Sequence, residues 1–407
     1  MQRKGVWMLM SLYLNMYNFS GNECIVYLES YFKTGNDVVT AYVDFRTRKD
    51  QELFNERLKI NTENSFIELR SLKTSKRLRQ GCYYKLNLDI FKDEGFIIEQ
   101  DSFVIGATYD LSEMKKPEND DEEVFQHHNL LDPEELKMHI PIRGSLEDII
   151  PDQLEVFVKD VDQANWNELR QNGQVVVLFD AGAKLNATIS EIVSIFQSRE
   201  RALESSKPIL VISHWDIDHI HCLKYLDNNQ IEKSFSKLVC VDMLKSLTSQ
   251  RIMQKLRDSL GDDNIFCLPV RQRTDGLRMY RWKSFGAVSF YQGQQSPSVN
   301  YCGIVMFVQG RNGSVNFTGD CKLIQAKDVY LQEYNQVGDY HHLLIAPHHG
   351  GDTGAQYRQY MLPCQDIAIS VGQYNRYGHP NCHMLKYLST LGNIRQTDIH
   401  GDLSFHL

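Results

Sequence analysis

The stretch that decides the fold is Pro208-Ile-Leu-Val-Ile-Ser213, followed directly by His214-Trp-Asp216-Ile-Asp218-His219. The first part predicts a buried β-strand, because it is a short apolar run rich in β-branched residues. In the second part, four potential metal ligands fall within six residues. Residues two apart point the same way and adjacent residues diverge. This spacing therefore lets one pair of side chains face a first metal ion and the other pair a second. The alternative is a loop of solvated acids with a histidine at a helix start.

Three further apolar runs end in residues of the same chemical type. The runs and the residues that follow them are Val315–Thr318 before Gly319-Asp320, Leu343–Ala346 before Pro347-His348-His349-Gly350, and Ile367–Val371 before the loop that holds His379. Each could be a surface turn when taken alone. Four such strand ends in series favour one shared site. His341, His342 and His383 lack this context and are predicted to lie on the surface.

From about residue 150 the chain alternates strand-like and helix-like stretches. Apolar positions repeat with helical spacing over residues 190–205 and 243–260. Between them lie short runs rich in β-branched residues, which include 154–158, 175–179, 238–241, 288–291 and 304–308. This mixture predicts a layered α/β (α+β) domain whose sheets are covered by helices.

Residues before about 114 show a different pattern, with short alternating runs separated by turn residues. The runs include 24–28, 38–45, 83–90 and 96–98, and they predict a small antiparallel β domain, a sandwich or a barrel. The dense polar block 115–123 then predicts an exposed linker, and His127 and His128 beyond it are predicted to be loop residues. The predicted organisation is a β-rich domain at 1–114, an acidic connector at 115–149 and a catalytic domain at 150–407.

Composition excludes several classes of protein. Of 407 residues 42% are hydrophobic and 24% are charged, which is typical of a globular protein rather than a disordered one. The formal net charge of -8 excludes a globally basic nucleic-acid binder but not a local basic groove. The nine cysteines form no Cys-x-x-Cys pair. They predict reduced thiols in a cytoplasmic protein. No apolar run is long enough to predict a membrane-spanning segment, and Met1–Tyr17 is interpreted as a strand rather than a signal peptide.

Residues 150–407 resemble the metallo-β-lactamase-fold superfamily, and in particular its ComEC-like branch, the nuclease domain of DNA-uptake proteins. The resemblance rests on His214-x-Asp-x-Asp-His219, Phe317-Thr-Gly-Asp320, Pro347-His-His-Gly350 and Ser370-Val-Gly372 with Asn375-x-Tyr-Gly-His-Pro380. It also includes Phe179-Asp-Ala-Gly182, similar to the family's early turn, and a tail at 396–401 similar to its closing strand.

The resemblance implies a four-layer αββα sandwich with two divalent metal ions, Zn²⁺ or Mn²⁺, at one rim. The implied metal ligands are His214 and Asp216 for the first ion, Asp218 and His219 for the second, Asp320 as the bridge, and one of His348 and His349, with His348 favoured because it is nearer the strand end. His379 is implied to contact the substrate phosphate or to protonate the leaving oxygen.

The sequence departs from the family pattern at two places. The first-strand loop reads Asp160-Val-Asp-Gln-Ala-Asn165, without the family's two glycines, which makes Asp162 a candidate to face the site. The family's third-motif histidine is absent, and Asn300 stands where the ComEC-like branch carries asparagine. The first metal ion is therefore expected to bind less tightly.

These features predict a nuclease or phosphodiesterase acting on DNA or RNA, in which two metal ions roughly 3.5–4 Å apart activate a hydroxide that Asp218 orients. Predicted substrate contacts are Asn300, Asn375, Arg376 and Tyr377, because an aromatic and arginine loop suits bases and phosphate. The alternative for that loop is an ordinary surface turn. The alternative functions are hydrolysis of a small ester or phosphodiester, and a subunit of a multi-protein complex with a residual metal site. Protein partners and a role in antiviral defence or nucleic-acid processing form the accompanying hypothesis.

Overall fold

The computed structural model describes residues 23–35, 38–73, 78, 80–88, 96–99, 102–105, 109–110, 146–268, 278–294, 299–337, 341–353, 364–373, 375 and 377–407. Contacts divide the chain into two units, residues 1–122 and 123–407. The segment Met1–Tyr17, the polar block 115–123, the two histidines at 127 and 128, and Arg376 lie outside the described residues. The boundaries at 114 and 149 stay predictions.

The first unit is built on one sheet. Its strands are β1 (Glu23–Gly35), β2 (Val38–Phe45), β3 (Phe66–Lys73), β4 (Tyr83–Asn87), β5 (Phe96–Glu99), β6 (Ser102–Ile105) and β7 (Tyr109–Asp110). The order is β4-β1-β2-β3-β6-β5, with β7 also paired to β3. A β-rich first domain is confirmed, but β3 runs parallel to β6 and β7, so this sheet is mixed rather than purely antiparallel. The long connection through β4 and β5 provides the crossover that parallel strands need.

One helix, α1 (Arg48–Leu58), packs on this sheet. Thr47 and Asp50 form a capping box at its first turn, which satisfies backbone donors that the helix itself leaves open. Asp50 also accepts a hydrogen bond from the backbone nitrogen of Ile25 at 2.8 Å. The rings of Phe45 and Phe54 lie 5.0 Å apart. Capping and packing therefore join the helix to β1 and β2.

The second unit contains a first seven-stranded sheet in the order β13-β12-β11-β10-β9-β8-β21. The strands are β8 (Leu154–Val158), β9 (Asn167–Gln171), β10 (Gln174–Phe179), β11 (Ile209–Val211), β12 (Lys237–Val241), β13 (Ile265–Leu268) and β21 (Leu403–His406). Strands β10 to β13 are parallel. Their connections are the helices α2 (Ile189–Ser206), α3 (Ile217–Lys224), α4 (Asn228–Ser234) and α5 (Leu247–Leu260).

The second sheet follows the chain order from β14 to β20. Its strands are β14 (Tyr280–Phe285), β15 (Val288–Gln292), β16 (Ile304–Gln309), β17 (Gly313–Phe317), β18 (His341–Ile345), β19 (Asp366–Ile369) and β20 (Asn393–Gln396). Strands β17 to β20 are parallel. The helices α6 (Leu323–Val337), α7 (Cys382–Leu388) and α8 (Thr397–His400) lie among them in sequence.

The two sheets pack face to face with helices outside them. Phe179 on β10 and Phe317 on β17 are fully buried, and their rings lie 5.5 Å apart. Helices α2 and α5 contact β10 and β12 of the first sheet. Residues of α6 and α7 share a core with β16, β18 and β19 of the second sheet. The α/β class and the four-layer αββα sandwich are therefore confirmed.

The predicted strand ends lie at one kind of position in this sandwich. The apolar runs after which candidate ligands were expected are parallel strands, and the ligands follow their carboxyl ends. Open α/β sheets bind ligands at that edge. One expectation fails: residues 397–400 of the tail form α8 instead of the closing strand, which is β21, paired antiparallel with β8.

The described part of the chain contains no helix that is both long enough and apolar enough to cross a membrane. All nine cysteines lie in that part, and none of them forms a disulfide bond there. Seven of them are buried, which agrees with their positions in apolar runs.

The prediction that three other histidines lie on the surface is correct for His383 but wrong for His342. His342 is completely buried on β18, where its Nδ1 pairs with the hydroxyl of Ser314 at 2.8 Å. Its ring lies 4.4 Å from that of Tyr330. Burial, with a smaller contribution from His341, lowers the pKa of His342 to about 3. The last four residues of its strand are all buried, and His342 is the first of them.

We expect His342 to weaken the fold in acid. Its pKa is lower in the folded chain than the unfolded value of about 6.5, so its contribution to stability is complete above that pH. It is lost as the pH falls toward 3. Between pH 7 and 4.5 this loss is about 2 kcal/mol, and His342→Gln should remove it.

Urea unfolding of the metal-free chain at both pH values measures the difference. His383→Gln changes an exposed histidine, and its free energy of unfolding should depend on pH in the same way as that of the wild type. An identical pH dependence in His342→Gln and the wild type would contradict the expectation.

Candidate metal centre

The motif after β11 enters the interior of the domain. His214, Asp216 and His219 are each at most 3% exposed. Asp216 stands at the N-cap of α3, but its carboxylate makes no capping hydrogen bond. One oxygen of that carboxylate, Oδ2, lies 3.6 Å from Nε2 of His214. Because α3 begins inside the motif, the helix turns Asp218 and His219 toward the same region.

Asp320 reaches this region from the opposite sheet. It follows β17 through Gly319, whose φ is 52°. A Cβ atom on Gly319 would lie 2.7 Å from the side chain of Ser213, so only glycine permits this close approach between the sheets. Oδ1 of Asp320 lies 3.1 Å from Nε2 of His219, and Oδ2 lies 3.9 Å from Nε2 of His214. Asp320 therefore stands between the two histidines.

His348 and His349 occupy a tight turn after β18, and both have left-handed backbone conformations. Nε2 of His349 lies 3.4 Å from Oδ2 of Asp218 and 3.9 Å from Oδ1 of Asp320. Its Nδ1 lies 2.9 Å from the carbonyl oxygen of Ser370. Because a carbonyl only accepts, Nδ1 carries the hydrogen, and Nε2 is the nitrogen that faces the carboxylates.

The geometry favours His349 over His348 as the ligand from this turn, which corrects the preference drawn from the sequence. His349 is 2% exposed and groups with Asp218 and His219. His348 instead turns its Nδ1 to Oδ2 of Asp320 at 2.5 Å. The left-handed turn carries the second histidine inward, although His348 is nearer the strand end.

The residues fit a metal centre. Ligand atoms of His214, His219 and Asp320 lie within 4.8 Å of one another, as do those of Asp218, His219 and His349. Nε2 of the three histidines and Oδ1 of Asp320 are buried and make no hydrogen bond within the described part of the chain. Buried polar atoms without partners are rare in folded proteins. A cation is the partner that imidazole nitrogens and a carboxylate oxygen share.

Asp180 supports this centre, although the sequence analysis gave it no functional role. It is completely buried and accepts hydrogen bonds from the backbone nitrogen and the hydroxyl of Ser213, at 2.7 and 2.8 Å. Its Oδ2 lies 2.7 Å from Nδ1 of His219. A carboxylate there fixes the imidazole with Nε2 toward the metal side. Its position directly after β10 was the available signal.

The charges of the cluster are strongly interdependent. Burial opposes charge on Asp218, but His219 and His349 outweigh it and lower the pKa of the carboxyl to about 2. Burial is likewise outweighed at Asp320, where His348 and His219 hold the pKa well below its usual range. At His219 burial lowers the pKa, yet Asp320 and Asp180 raise it overall. The cluster thus favours ionised carboxylates with a cationic group beside them.

His379 lies at the edge of the cluster. Its ring centre is 5.2 Å from that of His348 and 5.8 Å from that of Tyr377, which is stacked on it. Burial, together with His348 and His349, lowers the pKa of His379 to about 3. The side chain of Asn375 accepts a hydrogen bond from the backbone nitrogen of His379 at 2.9 Å and donates one to its carbonyl oxygen.

The predicted substrate contacts occupy different positions. Asn300 lies beside Asp320, with its Nδ2 3.2 Å from Oδ2 of that carboxylate. Asn375 uses its amide on the backbone of its own loop, and Tyr377 packs on His379. For both asparagines the arrangement supports a positioning role rather than direct contact with substrate. Arg376 is not among the described residues.

In the altered first-strand loop, Asp162 turns to Lys184. Asp162 keeps a left-handed conformation with φ 64°, and its Oδ2 lies 3.3 Å from Nζ of Lys184. Its Oδ1 lies 1.5 Å from the place of a Cβ on Gly372, so glycine is required there. An open pocket of 580 Å³ lies beside this loop, and its lining includes Asp160, Asp162, Lys184, Glu191 and Asp398. Asp162 therefore faces this pocket and Lys184.

No protein-family model and no curated protein matches the chain. Solved structures similar to it include CmlA, a diiron β-hydroxylase from Streptomyces venezuelae, with 12% identity, 64% of this chain covered and a TM-score of 0.33. The chain spans 55% of the length of that protein. Human tRNase Z, short form, has 13% identity over 60% of this chain and 90% of its own, with a TM-score of 0.33. At these TM-scores neither alignment carries an argument about activity or substrate.

Proposed function

We propose that the chain is a metal-dependent hydrolase of the metallo-β-lactamase fold that cleaves phosphodiesters, with DNA or RNA as substrate. The observation that carries the proposal is the convergence of four buried ligand atoms that make no hydrogen bond in the described residues. They come from the carboxyl ends of strands in both sheets. Buried polar atoms that make no hydrogen bond are expected where a cation binds, and bound divalent cations can catalyse hydrolysis.

Two divalent ions, Zn²⁺ or Mn²⁺, would be held by separate groups. His214 and Asp216 would hold the first ion, and Asp218, His219 and His349 the second, with Asp320 shared between them. Imidazole and carboxylate ligands suit both metals. Asn300 in place of a histidine leaves the first group with fewer ligands, which supports weaker binding of that ion.

Bound divalent ions would supply Lewis-acid polarisation of the phosphoryl oxygen and would lower the pKa of water to about 7. The protein's own contribution is orientation. Asp180 and the carbonyl of Ser370 fix the rings of His219 and His349 through their Nδ1 atoms. Asp218, held beside His349, would orient the attacking water. His379 would contact the scissile phosphate or the leaving oxygen, because Asn375 holds its backbone at the edge of the cluster.

Nucleic acid as the substrate is supported by the resemblance to the ComEC-like nuclease branch. Bound cations would offset part of the acidic charge of the chain at the site. A cytoplasmic location, protein partners in a multi-subunit system and a role in antiviral defence stay predictions.

Hydrolysis of a small ester or phosphodiester is the second candidate. The pocket of 580 Å³ beside the first-strand loop has a volume typical of small-ligand sites, and its lining includes none of the proposed metal ligands. Its lining includes four carboxylates and one lysine, so a phosphate backbone would meet net negative charge there. That pocket favours a small neutral or cationic group over a polyanion.

Metal analysis combined with a substrate panel tests the proposal. The panel contains single- and double-stranded DNA, RNA, a small nitrophenyl phosphodiester and a small carboxylic ester, each with Mn²⁺ and with Zn²⁺. We expect metal-dependent cleavage of a nucleic acid, lost on chelation and restored by added metal. Cleavage of the carboxylic ester alone would establish the second candidate. A chain that binds no metal would refute both.

A further inference from the structure

The Oδ2 atom of Asp320, its outer oxygen, contacts two side chains that come from different turns of the second sheet. Oδ2 lies 2.5 Å from Nδ1 of His348 and 3.2 Å from Nδ2 of Asn300. Its inner oxygen, Oδ1, makes no hydrogen bond within the described residues and lies 3.1 Å from Nε2 of His219. The two oxygens of one carboxylate therefore have different surroundings.

The groups that donate hydrogen bonds to Oδ2 of Asp320 follow from which atoms can carry hydrogens. A carboxylate oxygen only accepts, so an imidazole nitrogen 2.5 Å from it must carry the hydrogen. Nδ1 of His348 is therefore a donor. The 3.2 Å separation between this nitrogen and Nδ2 of Asn300 is then a contact between two donors that share one acceptor. Turning the amide of Asn300 over would place its oxygen against Oδ2 and is disfavoured.

Both donors are fixed by the backbone around them. His348 has φ 53° in the turn Pro347–Gly350, and its backbone nitrogen donates to the carbonyl of Gly319 at 3.0 Å. Asn300 is 8% exposed in the turn Val299–Tyr301, which Gln325 holds by a 3.0 Å hydrogen bond to the carbonyl of Tyr301. The two side chains are therefore placed before any ligand binds.

We infer that His348 and Asn300 are positioning residues that clamp Oδ2 of Asp320, so that Asp320 presents Oδ1 alone to the metal ions. His348 is then not a metal ligand, and His349 is the ligand of this turn. The inference rests on the proposed metal centre and adds to it a division of labour between adjacent histidines. Partners that orient a metal-binding side chain contribute about 10- to 100-fold in metal affinity.

Amide variants can distinguish the two nitrogens of an imidazole. The Nδ2 of asparagine lies near the place of histidine Nδ1, whereas the Nε2 of glutamine reaches the place of histidine Nε2. We expect His348→Asn to bind metal within about 3-fold of the wild type. His348→Gln, His348→Ala and Asn300→Ala should weaken binding by about 10- to 100-fold, with the full stoichiometry at saturating metal. His349→Ala should lose one equivalent of metal.

Stoichiometry is read by elemental analysis and affinity by competition with a chelating dye, both with Zn²⁺. Thermal melts of the metal-free chains show which variants fold. If the alanine variants do not fold, the comparison of His348→Asn with His348→Gln still tests the inference. Loss of a whole equivalent in a His348 variant would overturn the inference, as would equal weakening by asparagine and glutamine. A wild type that binds metal but cleaves no substrate would refute the proposed function while the affinities still decide this inference.

Discussion

The double variant Asp216→Ala with His219→Ala is expected to lose metal binding and hydrolysis together. His219 offers the ligand atom that belongs to both groups of the cluster, and Asp216 lies 3.6 Å from His214 in the first. Without both side chains neither ion keeps its set of ligands. Hydrolysis should fall by at least about 10³-fold, because no bound ion would lower the pKa of the attacking water.

The measurement is cleavage of the best substrate of the panel, together with metal content by elemental analysis. The matched control is Asp263→Ala with His383→Ala, which removes the same two residue types from exposed positions. Circular dichroism should show the same folded spectrum for both double variants. Equal cleavage by the wild type and by Asp216→Ala with His219→Ala would refute the enzymatic proposal.

Asp180→Asn is expected to weaken metal binding, because Asp180 contacts His219 at Nδ1, the ring nitrogen that does not face the metal site. Asp180 has φ 63°, a conformation that asparagine tolerates, so the backbone can be kept. Its carboxylate accepts two hydrogen bonds from Ser213 and one from Nδ1 of His219. An amide has one accepting oxygen, so it cannot serve both sides.

Either orientation of that amide has a measurable cost. With its oxygen toward Ser213, the amide nitrogen faces Nδ1–H of His219, and metal affinity should fall by about 10- to 100-fold. With its oxygen toward His219, the backbone nitrogen of Ser213 is buried without an acceptor. The chain should then be destabilised by about 1–3 kcal/mol.

Metal competition and urea unfolding separate these two outcomes. Asp152→Asn changes an exposed aspartate and is the matched control, with both quantities expected to stay at wild-type values. A variant with unchanged metal affinity and unchanged stability would show that Asp180 does not hold the centre.

Much of the second unit was predictable because periodicity reports burial locally. The run at 154–158 is β8, and the helical stretches at 190–205 and 243–260 correspond to α2 and α5. Strands with less apolar sequences, such as β9 and β14, were missed. Asn167–Gln171 has one apolar residue and Tyr280–Phe285 has three aromatic residues among six, and pairing with neighbours decides the structure of both.

The candidate site was predictable as a set of strand ends but not as a set of atoms. The sequence placed Asp320 and the two histidines at 348 and 349 after separate strands. It could not show that His348 turns to Asp320 and His349 to Asp218, since both share the left-handed backbone of one turn. Nor could it show that Asp162 turns to Lys184.

The sequence by itself determined the layered α/β class, the strands that end in ligand-type residues and the chemistry of those residues, whereas the αββα arrangement was implied by a family resemblance. These properties depend on neighbours along the chain, and local patterns record them. Only the tertiary structure decided which atoms meet, because Phe179 and Phe317 pack two separate sheets together and so bring residues 180, 214, 320 and 349 to one rim. The directions of those side chains follow from contacts between residues in different elements of the chain, which no local pattern contains.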